Sequence, residues 1–219
     1  MTGVRSRLFL ILLLLVPSLR GVADEWWGWT SVEFWRNERS KAWIFLGNRL
    51  DLQDGPYVQI VSPRFKYEML PWLDMATGQS LLSIENPQTN DRHWQWRPEL
   101  ELNPHFTLAH RLILEWRNRM EWRWNEAESF TTHRTRHRLQ LGWTLPEPIG
   151  PLKRLFVSNE WLNALHRRQW TENRLVPLGL TFKAGKQMDL DLFYMVVSSH
   201  RPTGWQQESI IGTFLRIQL

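Results

Sequence analysis

Charged and apolar residues alternate with a period of two along residues 132–145. Arg134, Arg136 and Arg138 fall on one parity, whereas Leu139 and Leu141 fall on the other. A helix would spread the three arginines around its circumference, but a strand places them on one face. The segment is therefore predicted to be a β-strand with one charged face and one apolar face.

The same alternation recurs along the chain, with turn signals between the segments. It is found in residues 42–52, 64–69, 93–103, 106–117, 154–161, 174–183, 187–196 and the last residues before 219, and most weakly in 72–83. The apolar parity holds no Asp, Glu or Lys, and its one arginine is Arg174. This pattern predicts an all-β fold, an antiparallel transmembrane β-barrel of about 10–12 strands with a charged lumen. A soluble exported sandwich or lipocalin-like binder, with its apolar face inward, is the alternative.

The first 23 residues have the features of a cleaved Sec signal peptide. Arg5 and Arg7 precede the apolar run 8–16, and small residues precede Asp24. Removing this segment removes three of the 27 basic residues and none of the 22 acidic ones. The remaining charge is nearly balanced, which argues against a nucleic-acid partner. Residues 24–40 are then a first strand, a plug or a tail, and 41–219 form the barrel. A first strand running toward the periplasm would conflict with export.

The charged parity supplies the candidate functional residues. Arg134, Arg136 and Arg138 would repel one another unless paired, and Glu115 and Glu160 on the flanking segments are the expected partners. The predicted lumen network consists of Arg97, Glu99, Glu101, Arg111, Glu115, Arg117, Arg134, Arg136, Arg138, Glu160, Asp189, Asp191 and Arg216. Pairing among these side chains predicts a filled lumen, because guanidinium groups meet carboxylates bidentately. An open ladder of arginines that passes or binds anions is the alternative.

The aromatic residues and turn signals predict the ends of the barrel. Trp94, Trp96, Trp116, Trp143 and Trp161, among 15 tryptophans, fall on the apolar parity and are predicted to lie at the membrane interface. Short turns are predicted at 70–71, 103–104, 146–151 and 185–186. Longer loops are predicted at 85–92, 119–130, 167–173 and 199–206, the second of them carrying Trp122 and Trp124.

Several short motifs, in order along the chain, resemble an uncharacterised family of outer-membrane proteins. They are Trp29-Thr30-Ser31-Val32, Trp96-Arg97-Pro98-Glu99, residues 110–117, residues 134–139, Asn159-Glu160, and Asn173-Arg174 with Gly179-Leu180. The family is the domain of unknown function 2490. The resemblance implies an outer-membrane β-barrel of unestablished activity and supplies no catalytic residues. The ending around Gly212, Leu215 and Ile217 has the spacing of a barrel-assembly signal, although Ile210 and Leu219 depart from it.

The function expected from these features is that of a non-enzymatic outer-membrane barrel, structural or transport-related. A narrow channel for small solutes, anions among them, and an outer-membrane lipid hydrolase are the other candidates. The hydrolase is disfavoured because Ser199 and His200 are adjacent on a strand and point apart. His133 and His137 would lie about 13 Å apart on a strand, too far to share a metal. No cofactor and no metal are expected, and the expected partners are outer-membrane lipid and the barrel-assembly machinery.

Overall fold

Eleven strands close into one barrel in the computed structural model, which describes residues 23–85, 89–126 and 128–219. The strands are β1 Glu25–Arg36, β2 Ser40–Asp51, β3 Gly55–Leu70, β4 Leu73–Glu85, β5 Arg92–Ala109, β6 Leu112–Asn125, β7 Thr132–Ile149, β8 Leu152–Ala164, β9 Gln169–Gly185, β10 Met188–Arg201 and β11 Gly204–Gln218. The prediction of an all-β barrel is confirmed. The predicted signal peptide lies outside the described residues, apart from Ala23. Within the described ranges, no helix has the length and apolar character needed to span a membrane.

Sequential strands pair antiparallel, and a parallel pair closes the barrel. β1 lies beside β11, with Trp27 opposite Gly212 and Trp29 opposite Phe214. An odd number of alternating strands makes the first and last run in the same direction. Because β1 pairs with both β2 and β11, residues 25–36 form part of the wall rather than a plug or a tail. Glu25, at the start of β1, and Gln218, at the end of β11, lie at opposite ends of the barrel.

The two ends of the barrel differ in their connections. The short-turn end holds the connections at 37–39, 71–72, 110–111, 150–151 and 186–187, and the long-loop end holds those at 52–54, 86–91, 126–131, 165–168 and 202–203. The predicted loops at 167–173 and 199–206 are wrong in extent, because β9, β10 and β11 continue into them.

The segment 106–117, predicted as one strand, is a hairpin between β5 and β6. Its turn is at His110 and Arg111, and Arg111 adopts a φ of +73°. A two-residue turn pairs residues of opposite parity, as Ala109 with Leu112, but a register shift between Thr107 and Ala109 restores the parity. The alternation therefore continues from β5 into β6. The predicted turn at 103–104 is wrong, because Pro104 lies inside β5 and pairs with Leu73 of β4. The candidate lumen residue Arg111 thus lies in a turn and not on a strand face.

A bulge near Pro177 shifts the parity of β9. The register of β9 changes against both β8 and β10 at this point. Arg174 is buried and Leu175 is exposed, so the prediction that Arg174 shares the apolar parity is wrong. The bulge moves Arg174 into the lumen because one extra residue inverts the faces of the strand before it.

The outer face is apolar in its middle and aromatic toward both ends. Leu46, Val61, Leu100, Leu139 and Val157 are exposed around the middle. Exposed aromatic side chains toward the short-turn end are Trp35, Phe65, Trp72, Phe106, Trp116 and Trp143, and those toward the long-loop end are Trp94, Trp96, Trp124, Phe130, Trp170 and Trp205. The outward side chain of Trp161 is partly buried, and its register partner is His137.

Candidate functional site

The lumen is too wide to be filled by small side chains. Eleven strands about 4.8 Å apart and tilted by about 40° enclose a backbone cylinder roughly 20–24 Å across. Barrels of eight strands already have room for side chains in their interior. Long arginine, glutamate and aromatic side chains occupy this wider space, and they divide it into a charged half and an apolar half.

Glu121 of β6 is at the centre of the charged half. Its side chain is 0% exposed. One carboxylate oxygen, Oε2, accepts bonds from Nε and Nη2 of Arg134 at 2.9 and 2.7 Å, and Oε1 accepts a bond from Nη1 of Arg136 at 2.9 Å. Arg119 and Arg97 lie 3.6 and 3.9 Å from the same carboxylate. One buried carboxylate therefore compensates four arginines.

Glu160 of β8 extends this network toward the next strands. Arg136 donates to Oε1 and Oε2 of Glu160 at 3.1 and 2.9 Å and so bridges it to Glu121. Arg117 donates to Oε1 at 2.5 Å, and Arg174 of β9 lies 3.7 Å from Oε2. Both oxygens of Glu160 are thus shared among three guanidinium groups.

Glu99 and Glu101 of β5 complete the network on the other side. Arg119 lies 2.8 Å from Glu99 and 2.5 Å from Glu101, and Arg64 of β3 bonds to both carboxylates. Ser80 donates a hydrogen bond to Glu99 at 2.8 Å. The ion pairs therefore run continuously from β3 through β5, β6, β7 and β8 to β9.

The partners of the β7 arginines differ from the predicted ones. Glu160 pairs with Arg136 as expected, but Glu115 pairs with Arg154 at 2.6 Å. The main partner is Glu121, which lies within the segment 119–130 that the sequence pattern predicts to be a loop. That loop prediction is wrong, because β6 continues to Asn125. The signal was present in the sequence: Arg119, Glu121 and Arg123 continue the charged parity of Arg117.

Four of the other predicted lumen residues lie apart from this network. Asp191 pairs with Arg216, and Asp189 pairs with Lys153 at 2.6 Å, both near the short-turn end. Arg111 lies in the β5–β6 turn, where its Nε contacts His110.

The second half of the lumen is an apolar cluster. Its buried members are Trp27, Phe156, Val176, Phe193, Met195, Val197 and Ile210, with Trp29 packed against them. The rings of Trp29 and Phe193 are 5.5 Å apart, and those of Phe156 and Phe193 are 6.4 Å apart. Trp27 joins the two halves, because the guanidinium groups of Arg49 and Arg174 lie 3.8 and 4.9 Å from its ring centre. The sequence did not predict this cluster.

Glycines make room for the large side chains of the lumen. A Cβ at Gly212 would lie 2.0 Å from the ring of Phe193, and one at Gly179 would lie 2.1 Å from the ring of Phe156. A Cβ at Gly142 would lie 2.0 Å from the guanidinium of Arg154. These close approaches let rings and guanidinium groups lie flat on the wall.

Exposure changes along the barrel axis. The carboxylates of the central network are almost completely buried, whereas the side chains of Glu115 and Arg154, nearer the short-turn end, are 42% and 24% exposed. Solvent thus enters the lumen at the short-turn end and stops at the Glu121–Glu160 network. We call the solvent-exposed space bounded by Glu115, Arg154 and Arg117 the short-turn vestibule.

No group of three or more His, Asp or Glu side chains suited to a metal occurs in the described ranges. His137 contacts Asn118 at 2.9 Å, and its ring lies 6.4 Å from that of Trp170. The ring of His200 contacts Gln169 at 3.0 Å and stands edge-on to Trp205. These two histidines thus have amide and aromatic neighbours.

A family model described as protein of unknown function (DUF2490) matches residues 24–208. The chain belongs to this family. The family resemblance of the sequence motifs is therefore confirmed. In this DUF2490 member, the match extends from β1 to the first part of β11.

No curated protein matches the sequence. Among solved structures, an anion-selective porin from Comamonas acidovorans matches with 11% identity and a TM-score of 0.41. The match covers 83% of this chain and 53% of the porin, so the chain spans about half the length of that protein.

Proposed function

We propose that this DUF2490 member is a non-enzymatic outer-membrane β-barrel whose lumen is closed by ion pairs, and that it serves a structural or transport-related role in the envelope. The observation that carries this proposal is the complete burial of Glu121 among arginines of three neighbouring strands. A carboxylate in a water-filled channel would remain exposed, whereas this one has no contact with solvent. Closure in the middle of the lumen leaves no continuous aqueous path there.

The outer surface supports a membrane location. Exposed aliphatic side chains around the middle are flanked by aromatic side chains toward both ends, as in outer-membrane barrels. Exposed Trp96 and Trp124 stack outside the wall with ring centres 4.8 Å apart. An apolar surface of this extent would aggregate in water, so lipid is the environment that stabilises it.

The closed lumen predicts that the barrel does not conduct ions. Reconstituted in planar bilayers, the purified chain is expected to give no single-channel steps, because charged side chains block the middle of the lumen. An open porin added afterwards to the same bilayer serves as the positive control. Reproducible steps from the wild-type barrel would contradict the closed-lumen proposal.

A narrow anion channel is the second candidate, favoured by an excess of arginines. The network of Arg64, Arg97, Arg117, Arg119, Arg134, Arg136 and Arg174 surrounds only Glu99, Glu101, Glu121, Glu160 and Glu172. Such a path favours anions by its charge. Anion-selective steps that shrink in Arg136→Glu would support this candidate against the closed barrel.

The membrane location predicts how the protein fractionates. Cell fractionation should recover the chain in the outer membrane, and detergent should be needed to release it. The folded barrel should also migrate faster than the heated chain in a denaturing gel, because closed barrels resist the detergent until heated. Recovery in the soluble periplasm without detergent would instead support the lipocalin-like alternative.

A further inference from the structure

Two arginines face each other across β6 and β7 at the floor of the short-turn vestibule. Arg117 and Arg138 are register partners and lie on the short-turn side of Arg119, Arg136 and Glu121. Like charges directly opposite on neighbouring strands destabilise a sheet unless something compensates them. The neighbouring pair, Arg119 and Arg136, is compensated by contacts of both with Glu121.

Among the described residues, no carboxylate forms an ion pair with both members of the Arg117–Arg138 pair, because Glu160 bonds to Arg117 but not to Arg138. Glu160 is the register partner of Arg138, but its oxygens are occupied by Arg117, Arg136 and Arg174. Arg138 forms no salt bridge and no side-chain hydrogen bond within the part of the chain that the structure describes. The Nε atoms of both Arg117 and Arg138 are buried and have no hydrogen-bond partner there.

Four other basic side chains near this end of the barrel have carboxylate partners. Lys66 pairs with Asp74 at 2.5 Å, Arg154 with Glu115 at 2.6 Å, Lys153 with Asp189 at 2.6 Å, and Arg216 with Asp191. Glu115 is near enough to Arg138 to attract it, but none of these carboxylates forms an ion pair with Arg138. The positive charge of Arg138 therefore lies, without an ion pair, at the floor of a space that solvent enters.

We propose that Arg117 and Arg138 form a binding site for a small oxyanion that enters the lumen from the short-turn end. Guanidinium groups bind phosphate and carboxylate groups through paired N–H donors, and two adjacent forks supply both charge and directed donors. A bound anion would replace the missing carboxylate of Arg138. The side chain of Arg117 is 19% exposed, so the site meets solvent while remaining mostly enclosed.

Stability distinguishes a binding role from a structural one. A structural arginine contributes an ion pair, so its removal destabilises the barrel. Removal of Arg138 relieves repulsion with Arg117, so without an anion Arg138→Gln is expected to melt at the same or a higher temperature than the wild type. A lower melting temperature for Arg138→Gln, or failure of the variant to fold, would show a structural role and overturn the proposal.

Calorimetric titration with inorganic phosphate tests the site directly. The full-length barrel, in a non-ionic detergent and a chloride-free buffer, is expected to bind phosphate and to melt at a higher temperature when phosphate is present. Arg138→Gln should bind at least about tenfold more weakly, because it loses charge-assisted hydrogen bonds. Arg216→Gln is the matched control: it removes an arginine from the same end, but one already paired with Asp191.

Each outcome bears on the proposal. Weaker binding in Arg138→Gln with unchanged binding in Arg216→Gln supports the site. Equal binding in all three proteins, equal weakening in both variants, or no binding by the wild type at millimolar phosphate overturns it. The titration does not depend on the barrel being closed to ions, so its failure is distinguishable from failure of the proposed function.

Discussion

Glu121→Gln is expected to lower the free energy of unfolding by about 3–5 kcal/mol, because removing one partner of a buried ion pair leaves the others uncompensated. Arg134 and Arg136 both bond to this carboxylate, and Arg97 and Arg119 lie within 4 Å of it. The neutral amide keeps the size of the side chain while losing its charge. Equilibrium unfolding in urea, followed by tryptophan fluorescence in lipid vesicles, measures the change.

Glu115→Gln is the matched control on the same strand. Glu115 also bonds to an arginine, Arg154, but its side chain is 42% exposed. Exposed ion pairs contribute about 0–1 kcal/mol, so this variant should remain close to the wild type. Equal losses in the two variants would indicate that burial of the network contributes nothing to stability.

Phe193→Ala is expected to cost about 3–5 kcal/mol, the range for removing a large buried aromatic side chain. Phe193 packs between Trp29 and Phe156 and lies against Gly212, so it joins β10 to β1, β8 and β11. Its loss leaves a cavity inside a closed wall that has little freedom to collapse. The same urea unfolding measurement applies, together with the temperature at which the gel mobility of the folded barrel is lost.

Three control variants separate this packing from a general loss of aromatic surface. Phe65→Ala removes an equal ring from the outer face, where it is exposed, and should cost clearly less. Gly212→Ala should destabilise the wild type by about 1–3 kcal/mol through overpacking but be tolerated in the Phe193→Ala background. Gly185→Ala, where the nearest atom is 3.6 Å from the added Cβ, should be neutral. Additive effects of Gly212→Ala and Phe193→Ala would disprove the close packing of the two residues.

The period-two pattern was enough to predict the fold class, because charge on one face and apolar residues on the other are a direct consequence of strand geometry. The positions of the turns were less predictable. His110 and Arg111 form a turn without Gly, Pro, Asn or Asp, whereas Pro104 lies within β5. Tertiary pairing overrode the local turn signal in both places.

The charged half of the lumen was more predictable than the apolar half. Arg134 and Arg136 lie on a strand whose two faces differ, so their inward direction follows from the sequence. On β10, by contrast, Phe193 and Met195 face inward while Leu192 and Val196 lie on the other parity. Where both faces are apolar, the alternation disappears and the sequence no longer distinguishes the lumen from the surroundings.

The parallel seam between β1 and β11 has a consequence for the order of folding. The seam joins the two strands that are farthest apart along the chain, so it has the largest loop-closure entropy of any strand pairing in the barrel. Hairpins from β2 to β10 can form from local contacts, but Trp27 and Trp29 meet Phe193 and Ile210 only when the first strand docks beside the last. Closure of the wall and burial of the aromatic cluster are thus one cooperative event. A sheet in which β1 has not yet paired with β11 cannot form the cluster.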